Sequence, residues 1–377
     1  MKYKSIYDLK TPFDFDDEAK RLFVEAMRES FSSHYDGSPF FKTLCLNADF
    51  DISKIKKMGD IYDIPYIFVN SFKELEILSI PEEKIKLELT SSGTSGQRSR
   101  IVLDDISLKR ILKIVKNIYG ALGMVDDNTP VNYICFTYDP RVAKNVGTAF
   151  SDKVLTGFAP KKEVYYAIQY DKAKNDFFLN EKGVKAQILK YSKDRKTPVR
   201  IIGFPAFIHK ILTEMRAELG KDFKFSEKSF VMTGGGWKGL QDKEIPKMEF
   251  KKEIGAILGI PPENIRDLFG MVEHGIPYVE CECSNMHIPI YSVAVIRDPL
   301  TMNIMGYGKP GILHLYTPYI NSVPSISLLC TDKAVLHKDC PCGRKGDFIE
   351  LLGRGGTTKH KGCAIHANEL LTKKADK

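Results

Sequence analysis

The strongest constraint on this chain is a change of hydrophobic period around an unbroken run of small residues. Ile85, Leu87 and Leu89 alternate with Lys84, Lys86 and Glu88, the two-residue period of a strand with one buried face. Ser91, Ser92, Gly93, Thr94, Ser95 and Gly96 follow at once, and Ile101-Val102-Leu103 reads as a second short strand. The period then lengthens. Leu108, Ile111, Leu112, Val115, Ile118 and Leu122 mark an amphipathic helix, with Asp105 or Ser107 as its cap and Gly123 as its stop. A loop of this kind suits a polyphosphate: glycine lets backbone N–H groups come close, and hydroxyls add donors. Arg98 and Arg100 add fixed positive charge. The run does not end in G-K-[ST], and it lies between two strands, so it is not a Walker A loop. By composition alone, a hydroxyl-rich hairpin is an equal reading.

The rest of the chain alternates. A helix is expected over 15–35, where Leu22, Phe23, Ala26 and Met27 share a face. Strands are expected at 131–137, 199–203 and 229–233, and helices at 183–193, 206–219 and 247–258, which argues for an α/β core over residues 1–285. Residues 286–352 change texture: short β-rich runs separated by Gly and Pro predict a smaller, mostly antiparallel unit. Residues 353–377 read as a loose tail rich in Gly and Lys. The start lacks an apolar signal core, and no apolar run approaches the roughly 20 residues of a membrane span. A soluble, cytoplasmic protein is expected. The formal charge of +8 is mild for 377 residues and spread over many segments. It reads first as a solvated surface, with attraction to anions such as nucleotides or an acidic carrier protein as the functional alternative. No basic stripe interleaved with aromatics points to nucleic acid.

Three later segments carry chemistry. Ser229–Met232 reads as a strand, and Thr233-Gly234-Gly235-Gly236-Trp237-Lys238-Gly239 follows it. Gly234, Gly236 and Gly239 satisfy G-x-G-x-x-G, yet Pro246 comes too soon for the full helix a dinucleotide fold requires. A flat glycine run can instead pass beside an adenine ring, with Trp237 packed nearby. Leu268-Phe269-Gly270-Met271-Val272-Glu273-His274-Gly275 sets a carboxylate in a Gly-bounded turn, where a glutamate is ordinarily solvated. Asp332 follows in Leu329-Cys330-Thr331-Asp332.

In this order these segments resemble the adenylate-forming enzymes. The resemblance implies that the 91–96 loop with Arg98 or Arg100 holds phosphates, and that Gly234, Gly235, Gly236, Trp237, Phe269 and Gly270 line the adenine pocket. It further implies that Glu273 positions Mg²⁺, that Asp332 binds the ribose hydroxyls, and that Arg354 marks the hinge to a C-terminal domain. The implied fold class is α/β, with mixed sheets flanked by helices and a smaller β-rich unit. SSGTSGQRSR (91–100), TGGGWKG (233–239), GMVEHGIPY (270–278), VIRDPLT (295–301) and CPCGR (340–344) ahead of LLGR (351–354) resemble the LuxE-type acyl-protein synthetases. Phenylacetate-CoA ligases are similar around CPCGR.

That branch implies activation of a fatty acid by ATP, transfer to a cysteine near the C-terminus, and delivery to a reductase-type partner. Here 23 residues follow Arg354, in place of a mobile domain of roughly a hundred. Cys363 is the one cysteine among them, flanked by Lys359, His360, Lys361 and His366, whose charge favours a thiolate. Transfer to CoA or an acyl carrier is the alternative. A non-catalytic nucleotide-binding subunit is an alternative of another class.

The other cysteines divide. Cys45, Cys135 and Cys330 lie among apolar neighbours. Cys281-x-Cys283-x-x-x-His287 and Cys340-Pro-Cys342-Gly resemble two knuckles of a structural zinc site, with five candidates for four places.

Overall fold

The computed structural model describes residues 6–9, 11–90, 100–139, 154–237 and 243–354. Helix α1 (Asp17–Gly37) starts on Asp16, whose carboxylate accepts from the Ala19 N–H at 2.8 Å. Helix α2 (Pro39–Asn47) follows, then β1 (Ile67–Phe68), α3 (Ser71–Glu74), β2 (Leu87–Thr90), β3 (Arg100–Leu103) and α4 (Asp105–Ala121). Next come β4 (Val131–Tyr138), β5 (Lys161–Asp171), β6 (Asp176–Leu179), α5 (Glu181–Tyr191), β7 (Val199–Gly203) and α6 (Pro205–Leu219). The order closes with β8 (Phe230–Gly234), α7 (Lys247–Leu258), β9 (Ile265–Phe269), β10 (Tyr278–Val279), β11 (Met286–His287), β12 (Val293–Arg297), β13 (Pro310–Tyr316), β14 (Ser327–His337) and β15 (Phe348–Arg354).

Every strand and helix expected between 131 and 258 has its counterpart. The cap of α4 differs by one residue: Asp104, not Asp105 or Ser107, accepts from the Ser107 N–H at 2.8 Å. The Ser107 hydroxyl is buried and accepts from the Asn321 N–H at 2.8 Å. Strands β5 and β6 were not expected. Charged residues at the start of β5 and a half-exposed face blur its period.

The chain forms two compact units. One comprises the described parts of Met1–Thr90, Gln97–Gly123 and Gly270–Lys359. Its sheet runs β11-β15-β14-β13-β12 with antiparallel neighbours, and β1 joins β14 in parallel, Ile67 beside Leu328 and Phe68 beside Leu329. The antiparallel β-rich stretch is therefore built together with N-terminal residues. The β2–β3 hairpin also belongs to this unit.

The other unit comprises the described parts of Met124–Phe269. Its strands run β9-β8-β7-β4-β5-β6; all are parallel except β6. Ile134, Phe136, Ile201 and Val231 of the sheet pack with Ile208, Ile211 and Leu212 of α6 and Ile254 and Ile257 of α7. The register sets Phe136, Gly203, Thr233 and Asp267 in one row near the carboxyl ends of β4, β7, β8 and β9, the edge where parallel sheets bind ligands. Gly203, at φ +145°, has no substitute there: a Cβ would stand 2.6 Å from the Phe136 Cβ.

Candidate active site and cysteine–histidine cluster

The phosphate-loop residues Ser91, Ser92, Gly93, Thr94, Ser95, Gly96 and Arg98, and the tail residue Cys363, lie outside the described residues. Their frame is described. β2 and β3 pair from Leu87–Leu103 to Thr90–Arg100, so the loop is the connection of an antiparallel hairpin. Arg100 turns its guanidinium to carboxylates of this unit: Nε lies 3.1 Å from Glu88 Oε2, and Nη1 bonds Glu76. The Glu88 hydrogen bond raises its pKa against a small opposing effect of burial. A phosphate reaching Arg100 would compete with two carboxylates.

In the same unit the Met271–Gly275 turn carries Glu273. The N–H groups of His274 and Gly275 both donate to the Met271 carbonyl, at 3.1 and 3.0 Å. Gly275 has φ +75°, and a Cβ there would stand 3.1 Å from the δ-methyls of Ile111 and Ile320. Glu273 is buried. Asp332 lies on β14 directly across from Arg354 on β15. A register shift between Lys333 and Ala334 makes that pairing, with Gly353 at φ +101° opposite Lys333, as in a bulge. Cys330 Sγ lies 3.7 Å from Met271 Sδ. Burial pushes its thiol well above the ordinary value, and the charges of Asp332 and Glu273 push it further. The two carboxylates the sequence singled out lie in one unit, with Arg354 paired across from Asp332.

In the other unit the glycine strip leaves the carboxyl end of β8. Gly234 fits against Leu268, and a Cβ on Gly235, at φ +80°, would stand 2.8 Å from the Phe204 ring. Gly236 is at φ +68°. Among the described residues the next α-helix is α7, preceded by Pro246. Trp237 is buried in the core against His209 and Phe250, ring centroids 5.4 and 6.0 Å away. His209 in turn bonds Glu253, Nε2 to Oε2 at 2.8 Å. The indole is taken up by packing, so what this segment offers at the strip is main chain. Sequence reading missed His209, which carries no motif. Thr233 donates to Asp267 at 2.9 Å. Phe269 ends β9, half-buried, and Gly270 opens the Glu273 turn with open space on one side, its nearest neighbour the Pro277 Cα at 3.9 Å.

The cysteine pairs come together. Ligand atoms of Cys281, His287, Cys340 and Cys342 all lie within 4.8 Å of one another. Two knuckles present them: the Ser284 N–H returns to the Cys281 carbonyl at 2.9 Å, and the Gly343 N–H to the Cys340 carbonyl at 3.1 Å. Cys281 and Cys340 sulfurs are 3.7 Å apart, and His287 Nε2 is 3.2 Å from Cys342 Sγ. Zn–S bonds of about 2.3 Å and Zn–N bonds of about 2.0–2.1 Å in a tetrahedron would separate such atoms by about 3.5–3.8 Å, so the group fits a zinc ion. Cys283 is exposed and stands outside the group.

Burial pushes the Cys281 thiol up to about 12, with the neighbouring cysteines adding to the rise. Burial also lowers His287 to about 4, aided by the Arg344 charge, leaving a neutral imidazole. For Cys342, burial raises the pKa, but hydrogen bonds from Arg344 and the neighbouring thiols outweigh it and the net shift is downward. Arg344 is itself held by Glu282 at 2.6 and 2.7 Å. His287 Nδ1 is buried without a partner.

The family model for acyl-protein synthetase, LuxE, matches residues 5–372. This chain belongs to the LuxE family of acyl-protein synthetases. Two curated relatives bear the name long-chain-fatty-acid–luciferin-component ligase. The one from Vibrio harveyi is 24% identical over 360 residues, covering 95% of this chain and 90% of the relative. The one from Aliivibrio fischeri is 26% identical over 363 residues, with the same coverage. Among solved structures, 2-hydroxyisobutyryl-CoA ligase with 2-HIB-AMP and CoA in an open conformation aligns at TM-score 0.69 and 14% identity. That alignment covers 94% of this chain and 74% of that one. A second structure of that ligase, in the postadenylation state, aligns at TM-score 0.66 and 15% identity, covering 94% and 72%. The fold is thus that of the adenylate-forming ligases, and the LuxE chain is a ligase of that class. No helix among the described residues is long and apolar enough to cross a membrane.

Proposed function

We propose that this protein activates a long-chain fatty acid with Mg·ATP and carries the acyl group on its own cysteine to a partner protein. The observation that carries the reading is the match of the whole LuxE pattern along 5–372, with the expected acids gathered in one unit. A carboxylate oxygen of the fatty acid attacks the α-phosphorus, and the bond to the β-phosphate oxygen breaks, releasing pyrophosphate. The 91–96 loop with Arg98 holds the departing phosphates. Glu273 offers its carboxylate to the Mg²⁺ that accompanies the nucleotide, and Asp332 accepts from the ribose hydroxyls. Gly234–Gly236 lie along the base, and Arg354 anchors the start of the tail. The acceptor is a partner protein of the fatty acid reductase type, in the cytoplasm.

Acid-dependent ATP–pyrophosphate exchange over a series of acyl chain lengths tests this. Exchange should rise with long-chain acids, and Glu273→Gln should lower it roughly 100-fold or more. Exchange without acid dependence, or none at all, would refute the adenylation reading and leave a nucleotide-binding subunit. The likeness in fold to a CoA ligase supports a second reading, in which acyl-CoA is the product; its accumulation without protein labelling would favour that route.

We further propose that Cys281, His287, Cys340 and Cys342 hold a structural zinc ion, which neutralises thiolates that burial would otherwise keep protonated. Elemental analysis of protein purified without metal-affinity media should find one zinc per chain. Cys340→Ser should lose it and destabilise the fold by at least about 3 kcal/mol. Cys283→Ser should keep it. A metal-free native protein of normal stability would end the proposal.

A further inference from the structure

We infer that His274 is the positioning residue of the Glu273 turn, acting through its own hydrogen bonds and not by touching substrate. The inference rests on the reading of Glu273 as the carboxylate that meets Mg·ATP.

His274 follows Glu273 directly in the chain and is wholly buried. Its Nε2 lies 3.0 Å from the Tyr278 hydroxyl and 3.1 Å from the Ser292 hydroxyl. Those two hydroxyls also bond each other, closing a ring of three groups. The imidazole lies parallel to the Tyr278 ring, 8° between planes at 5.8 Å. On the near side the Met271 carbonyl takes two N–H groups of the turn, and on the far side Gly275 wedges against Ile111 and Ile320. Glu273 is thus clamped before and after its own Cα. A carboxylate serving a divalent cation must be held within about half an ångström of its working position.

The choice of residue supports function over packing. A buried imidazole costs free energy that an aliphatic side chain would not. Here Nδ1 has no partner among the described residues. Such a group in a closed core calls for an explanation. Fixing the backbone beside a metal-binding acid supplies one, as outer hydrogen bonds do for metal ligands generally.

The test titrates acid-dependent pyrophosphate exchange of the full chain with Mg²⁺ at fixed ATP. His274→Leu, which keeps the volume, should lower kcat roughly 100-fold and raise the half-saturating Mg²⁺ about tenfold, with KM for the fatty acid unchanged. His274→Gln, which can place a polar atom where Nε2 stands, should restore most of both. Ser292→Ala and Tyr278→Phe should shift the Mg²⁺ dependence the same way. If His274→Leu does not fold, those two variants decide by the same titration. An unchanged Mg²⁺ dependence in these variants, with Glu273→Gln inactive, overturns the inference. Glu273→Gln with full activity overturns the underlying assignment of Glu273, whatever His274 does.

Discussion

Cys363→Ser should keep acid-dependent pyrophosphate exchange within about twofold of the unchanged protein and lose every trace of thioester-bound acyl label. The two effects separate because adenylation and transfer use different groups. On the proposed reading, the phosphate loop, Glu273 and Asp332 serve the first step. In the second, a thiolate attacks the acyl carbonyl carbon of acyl-AMP, the carbonyl–oxygen bond to phosphate breaks, and AMP leaves with its electron pair. A serine hydroxyl ionises far less readily than a thiol, so it is a poor substitute at neutral pH. Lys359, His360, Lys361 and His366 flank the cysteine in sequence and favour its thiolate. The measurement is labelled fatty acid retained after denaturation and released by neutral hydroxylamine. Hydroxylamine-sensitive label on Cys363→Ser at the normal level would move the nucleophile elsewhere. Loss of exchange along with label would mean that the tail also serves adenylation.

Acid should unfold this protein before pH 4. His34 is buried with Nδ1 2.8 Å from the Ser79 hydroxyl, and burial lowers its pKa to about 4. His314 is buried between Arg297 and Ser327, its Nδ1 accepting from Arg297 Nε at 2.7 Å and its Nε2 2.9 Å from the Ser327 hydroxyl. Burial first, and then the Arg297 charge, lower it to about 2. Both folded values lie below the unfolded value of about 6.5. Above pH 6.5 neither state binds these protons and the two groups leave stability unchanged. As pH falls, the unfolded chain takes up protons that the folded one refuses, so stability drops. Each group contributes about 1.4 kcal/mol per pH unit, together about 3 kcal/mol per unit. By pH 4 the loss is on the order of 6 kcal/mol, the size of a typical total stability. His274 acts in the same direction. Urea midpoints at pH 7 and pH 4.5 measure this; equal midpoints would contradict it. His34→Asn, which keeps a polar atom near the Nδ1 position, should flatten the slope below pH 6.

Much of this was legible in the sequence, for reasons that differ from element to element. The β2–β3 hairpin announced itself because a two-residue period ran straight into glycine and serine. The parallel strands β4, β7 and β8 were legible as apolar runs between amphipathic helices. Strand β5 was not, because it opens on Lys161, Lys162 and Glu163 and is only partly buried along most of its length. Asp104 lost the capping role on paper because the next residue is also aspartate; only the Ser107 N–H direction separates them. Among the proposed site residues, Glu273 and Asp332 rest on motif order. The choice of four zinc candidates from five required knuckle geometry, which turns Cys283 outward. Trp237 looked like a ring for a base, but it fills a core shared with His209 and Phe250, residues too distant in sequence to suggest it. His274 hid in plain view, since a histidine acquires meaning only from Tyr278 and Ser292 closing around it.

The parallel seam between Ile67–Phe68 and Leu328–Leu329 bears on how the chain is born. A ribosome making about 5–20 residues per second releases the strand that completes that seam roughly ten to fifty seconds after the first half has emerged. The stretch from Met124 to Phe269 needs no such delay, for strands β4 to β9 arrive in one uninterrupted passage. Between the release of Phe269 and that of the strand bearing Asp332, the nascent protein therefore has one stretch complete and the other still waiting, its N-terminal apolar surface unsheltered until that strand arrives.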